Sequence, residues 1–114
     1  MRDPWLELDT VLKERIRGVL ENPERPVTEA ELRKLSEEGR ACTLILGAEL
    51  ERLEERLAQL DADPASPLGA IAPAYRRVHD FRAHLEELDG LLSALEDRAR
   101  HVRTSWLLKP TRST

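Results

Sequence analysis

Cysteine, aromatic residues and long apolar runs are scarce in this chain, and each scarcity removes a class of protein. Cys42 is the only cysteine, so no intrachain disulfide can form and a small buried core residue is the expectation. Aromatic residues make up 4 % of the sequence, too few for aromatic interleaving with nucleic-acid bases. No apolar run approaches the roughly 18–20 residues that cross a bilayer. Met1-Arg2-Asp3-Pro4-Trp5 has no apolar stretch of signal type, so a cytoplasmic location is expected. Glycines do not cluster into a phosphate-binding loop. Beyond Asp97 there is no acidic residue at all.

What remains is the composition of long amphipathic helices: 40 % apolar and 35 % charged residues in 114, with a net charge of −4. That length supports one domain over residues 1–114, with a modest core. The acidic average argues against a nucleic-acid binder. The charge is graded, however. From Thr28 to Asp61 there are nine acids and five bases; from Pro67 to Thr114 there are six acids and eight bases.

Phe81, Leu85, Leu88, Leu92, Leu95, Ala99, Val102 and Trp106 recur at alternating steps of four and three. This heptad seam is built to lie against other helices. Three helices follow from the pattern. Helix 1 is expected at about 4–21, opened by Asp3 as N-cap and Pro4 as first helical residue. Its apolar stripe is Trp5, Leu8, Leu12, Ile16 and Val19, widened by Leu6, Val11 and Leu20. Asn22-Pro23 and Arg25-Pro26 stop it.

Helix 2 is expected at about 29–60. Thr28 and Glu31 form a capping box, and Val27 with Leu32 a hydrophobic staple. Its stripe runs Leu32, Leu35, Gly39, Cys42, Leu46, Leu50, Leu53, Leu57, Leu60, with a stutter between Leu46 and Leu50. Glu29–Arg33, Glu31–Lys34 and Glu49–Arg52 are helical neighbours of opposite charge. Asp61 to Pro67 is a tip, and its aspartates read as ordinary helix-ending residues. Helix 3 is expected at about 67–107, with a kink or short separate turn at Pro73. The tail 108–114 is expected to be flexible.

The short tip implies that helices 2 and 3 fold back as a long antiparallel, coiled-coil-like hairpin. Helix 1 is too short to cover it. It should stop near Leu46, leaving a three-helix end and an uncovered distal half. Leu50, Leu53, Leu57, Leu60, Leu68, Ile71 and Tyr75 are then the expected contact surface, paired with a second copy into a four-helix bundle or with another helical protein. Gly39 and Gly90 fall near one level, where they would allow close approach or leave a notch that Trp5 could fill.

Chemistry is sparse. His79, His84 and His101 lack the Glu-x-x-His spacing of a metal bundle. Asp80–His84 and Asp97–His101 read as surface pairs. Cys42 sits in a core stripe, and Glu54-Glu55 and Glu86-Glu87 on solvated faces. We therefore expect no enzyme activity, metal or cofactor. The expected function is a non-catalytic assembly or adaptor protein, or a small structural subunit. One alternative is an accessory subunit touching phosphate or an acidic partner through Arg98, Arg100, Arg103 and Arg112, with Arg76, Arg77 and Arg82 as a further basic edge. A second is a ligand- or metal-binding bundle using the histidines. Mixed charge along the helices argues against a membrane surface.

Overall fold

A computed structural model describes residues 4–108, and among them there is no strand. Three helices pack together: α1 (Pro4–Leu20), α2 (Glu29–Ala62) and α3 (Leu68–Leu108). Asp3 and the tail from 109 onward, Arg112 included, lie outside the described residues. None of the helices is long and apolar enough to cross a membrane.

Local chemistry explains the ends. Thr28 is extended, and its hydroxyl accepts from the Glu31 backbone N–H at 3.1 Å, satisfying one orphan donor of the first turn of α2. The side-chain amide of Asn22 donates to the Gly18 carbonyl at 2.8 Å and closes α1. Asp63 makes the tip: its carboxylate accepts from the Ala65 N–H at 2.9 Å and its carbonyl from the Ser66 N–H at 3.0 Å. This side-chain turn lets α2 run on to Ala62, two residues past the expected Leu60. α3 passes through Pro73 as one helix, so no separate turn forms there. Pro73 is the sixth helical residue, so it withholds the N–H that would bond the Gly69 carbonyl, and the helix continues in spite of that loss.

Ion pairs set the register. Glu29 meets Arg103 at 3.0 Å, Arg40 meets Glu96, and Glu54 meets Arg82 at 3.2 Å. These pairs fall in opposite order along α2 and α3. α1 is fixed by Arg15 on Glu38 at 2.6 Å and by Arg17 on Glu87. The core is Leu12 and Ile16 from α1, Leu32, Leu35, Cys42 and Leu46 from α2, and Phe81, Leu88, Leu92 and Leu95 from α3.

Three expectations are corrected. The buried face of α1 is Asp9, Leu12, Lys13 and Ile16, while Trp5, Leu8 and Val11 are 39, 47 and 55 % exposed. The helix is thus rotated so that two charged residues point inward. Second, Gly39 faces Leu92, whose Cγ would stand 3.2 Å from an added Cβ, whereas Gly90 faces open space. The notch belongs to Leu92, so Trp5 has no place in it. Third, the heptad seam ends before Trp106, which is 71 % exposed. α2 begins opposite Arg103, so among the described residues no helix stands against the last turn of α3.

Candidate interaction surface

The lengths of the helices create the site. At about 1.5 Å per residue, α1 spans roughly 26 Å against roughly 51 Å for α2. From the Arg15–Glu38 pair, running back along α1 to Pro4 runs forward along α2 to about Glu49. Beyond that level α2 and α3 continue without α1 for roughly 20 Å. Leu46 and Val78 are buried by the chain itself, so the uncovered stretch starts just past them.

Burial falls off along this stretch. Leu50, Leu53, Leu57, Leu60 and Ile71 are half-buried, whereas Leu68 and Tyr75 are 82 and 57 % exposed. The seven expected contact residues do not share one face. Tyr75 stands seven residues before Arg82, and Leu68 seven before Tyr75. That spacing returns to the same helix face, so both lie on the edge where Arg82 reaches Glu54. The other edge of α3 carries His84 and Glu87, which meet α1. Leu53 and Leu60 lie toward the path that α1 would take if it were longer. Sequence periodicity alone cannot separate these edges, because both flank one apolar stripe.

The rims of that path carry charge. On α2, Glu49 and Arg56 follow Glu38 by 11 and 18 residues, and Arg52 lies between them. On α3, Asp80 and Arg76 precede Glu87 by seven and 11 residues, and Arg77 precedes His84 by seven. All six therefore continue the faces that α1 covers lower down. Glu49 and Arg52 bond each other at 3.0 Å. The Arg77 guanidinium lies 5.5 Å from the Phe81 ring centre. Among the described residues, Arg56, Arg76 and Asp80 make no ion pair.

Where α1 does cover the groove, the charges are inside. Asp9 is fully buried and Lys13 is 3 % exposed. Lys13 Nζ lies 2.7 Å from Asp9 Oδ2 and 3.5 Å from Glu87 Oε2, with His84 Nδ1 at 3.4 Å. His84 is also 3.5 Å from Asp9 Oδ2, so it meets α1 and not the expected Asp80. Glu87, expected on a solvated face, takes both Lys13 and Arg17. Burial pushes the Cys42 thiol pKa up from its ordinary value of 9.0; the Asp9 carboxylate adds to this and Lys13 opposes it. A protonated, enclosed thiol is a poor nucleophile.

The other residues singled out by sequence are occupied or scattered. Arg98 donates to the Pro23 carbonyl at 2.9 Å, Arg100 pairs with Asp97, and Arg103 pairs with Glu29. A groove of about 380 Å³ between α2 and α3 is lined by Arg33, Arg40, Arg100 and Arg103, with Glu29, Glu37 and Glu96 interleaved. This mixture gives no track of like charge for a phosphate backbone. His79 and His101 are exposed, and Asp97 is taken by Arg100 rather than His101. Among the described residues, no three of His, Cys, Asp or Glu converge as a metal site would require.

No family model, curated protein or solved structure matches the chain.

Proposed function

We propose that the chain is a non-catalytic helical assembly module, an adaptor or small structural subunit that acts through protein–protein contact. In this reading α2 and α3 form one long antiparallel, coiled-coil-like hairpin. α1 completes a three-helix bundle at one end, and the other end receives further helix from outside the chain. The observation that carries the reading is the early end of α1, beyond which Leu50, Leu53, Leu57, Leu60 and Ile71 stay half-buried. Completing such a side chain's burial is favourable by about 25 cal/mol per Å² of apolar surface. A second copy would supply a four-helix bundle; a different helical protein would serve equally.

The reading is tested by light scattering at low and high micromolar concentration, together with binding of a fluorescent apolar dye. Leu53→Glu should abolish any self-association, and should weaken dye binding, while helix content is retained. A chain that neither associates nor binds dye overturns the reading. So does self-association that survives Leu53→Glu.

A further inference from the structure

A second apolar surface lies away from the distal groove, on the outer side of the three-helix end. Ala41, Leu44, Ile45 and Ala48 are three, one and three residues apart on α2 and share one face. That face is turned from the core. All four are exposed, Leu44 by 77 % and Ile45 by 37 %. The Arg15–Glu38 pair fixes what stands beside them. Ile45 follows Glu38 by seven residues and Leu8 precedes Arg15 by seven, so the antiparallel α1 brings Leu8 level with Ile45 on the same edge. Val11, four before Arg15, extends that edge, and both α1 side chains are exposed. A contiguous apolar patch of this kind marks a contact.

The order of the residues selects the occupant. Ala41-x-x-Leu44-Ile45-x-x-Ala48 reads small, large, large, small, a palindrome about the midpoint between Leu44 and Ile45. A twofold axis crossing α2 at that midpoint lays a second α2 antiparallel on the first, and each residue falls at the level of its mirror position. Ala41 comes level with the partner's Ala48, and Leu44 with the partner's Ile45. From this symmetry we infer that the outer face of α2 is a self-association surface for a second copy of the chain, packed antiparallel. A different protein would place no such symmetry on the face. The axis keeps both copies of α1 on the same side, so Leu8 and Val11 of each border the contact.

The flanking charges fit the same axis. Lys34 comes level with the partner's Glu55, and Glu37 with the partner's Arg52. Lys34, Glu37 and Glu55 make no ion pair among the described residues. Arg52 is bonded to Glu49 through one nitrogen and keeps further donors. One match is of like sign, Glu38 with the partner's Glu51, and Arg15 already meets Glu38. Neighbouring registers lose the apolar match. An axis at Ala41 sets Ile45 level with Glu37, and an axis at Ala48 sets Leu44 level with Arg52.

The full chain is followed by sedimentation at low and high micromolar concentration, where it should form a dimer. Ile45→Glu should raise the dissociation constant on the order of a hundredfold. Leu44→Glu should act in the same direction. Both residues are exposed, so helix content and unfolding of the single chain should not change. Lys34→Glu should weaken the dimer about tenfold, and adding Glu55→Lys re-forms the mirrored pair and should restore it. In a Cys42→Ala background, Ala41→Cys with Ala48→Cys should cross-link two chains on oxidation, whereas either alone should not. A chain that stays monomeric refutes the contact. A charge swap that fails to restore the dimer refutes the antiparallel register. Leu53 takes no part in this contact, so the self-association test of the distal groove is made on the Ile45→Glu chain. A dimer untouched by Ile45→Glu and lost with Leu53→Glu overturns the outer contact and supports the groove. A dimer lost with Ile45→Glu supports the outer contact, and the groove then stands or falls on dye binding.

Discussion

Proximal and distal halves of the α2–α3 pair carry similar apolar stripes yet differ in closure. Below the level of Glu49, three helices share a core in which Ile16, Leu88 and Leu95 are fully buried. Above it, two helices share leucines that remain half in water. In the proximal half Glu38 and Glu87 are met by Arg15 and Arg17 of α1, whereas in the distal half Arg56, Arg76 and Asp80 make no ion pair among the described residues. An apolar stripe says only that a neighbour is wanted; the charges beside it say which one. The largest test of this contrast lies in the buried charges Asp9 and Lys13, which among the described residues belong to the proximal half. Lys13→Met should cost about 3–5 kcal/mol, because it strands the Asp9 carboxylate in the core. Asp9→Leu combined with Lys13→Met should recover most of that loss, since apolar residues of similar volume often replace a buried pair without penalty. Urea unfolding of the three chains would decide it, and a mild single mutant would mean that water reaches the pair.

The next effect compares two leucines eleven residues apart in α2. Leu46→Ala removes a fully enclosed side chain and should cost about 2–5 kcal/mol. Leu57→Ala, in the open half, should cost the monomeric chain about 1 kcal/mol, since water already takes up part of its surface. Partner binding should suffer more than folding from Leu57→Ala. Equal losses in unfolding free energy would mean that the distal half is closed after all.

How far the sequence reveals these halves depends on the kind of information each needs. The burial of Leu32, Leu35, Cys42 and Leu46 follows from their spacing, and the start of α2 follows from Thr28 and Glu31. The early end of α1 is visible in its length. The rotation of α1 is not. Trp5, Leu8 and Val11 complete as good a stripe as Leu12 and Ile16 do, and a periodicity count treats Asp9 and Lys13 as solvent-facing. What hides them is mutual compensation: four residues apart, they neutralise each other inside the core. An acid four residues ahead of a lysine beside an apolar stripe is the one signal that could have raised the possibility. The division of Leu68 and Tyr75 from Leu53 and Leu60 was hidden differently. It depends on which edge α1 takes, and that choice is made by Arg15, Arg17 and Lys13 finding Glu38 and Glu87.

Two glycines in α2 refine the contrast at a smaller scale. An added methyl at Gly39 would collide with the Leu92 side chain, which is itself buried. Overpacking of this kind costs about 1–3 kcal/mol and outweighs the gain of about 1 kcal/mol in helix propensity. Gly39→Ala should therefore destabilise the chain. At Gly47 nothing lies within 4 Å of an added Cβ, so Gly47→Ala should stabilise it by about 0.5–1 kcal/mol. Thermal unfolding of the pair checks both signs, and a gain at Gly39 would mean that Leu92 turns aside freely.

The smallest expected effect comes from Cys42, and it reports on the proximal half alone. Its pKa is raised in the folded chain, chiefly by burial and then by Asp9. The folded state therefore keeps the thiol proton at a pH where the unfolded state begins to lose it. The associated stability is fully present below the ordinary thiol pKa and declines as pH rises past it. Unfolding free energy should fall above about pH 9 in the wild-type chain, and Cys42→Ala should remove that part of the slope. Alkylation of the thiol should meanwhile track opening of the three-helix end. Because the distal stretch lies beyond α1, Leu57→Ala should leave the alkylation rate unchanged. A faster rate in that variant would mean that loosening one half opens the other, and that the two regions are coupled and not merely adjacent.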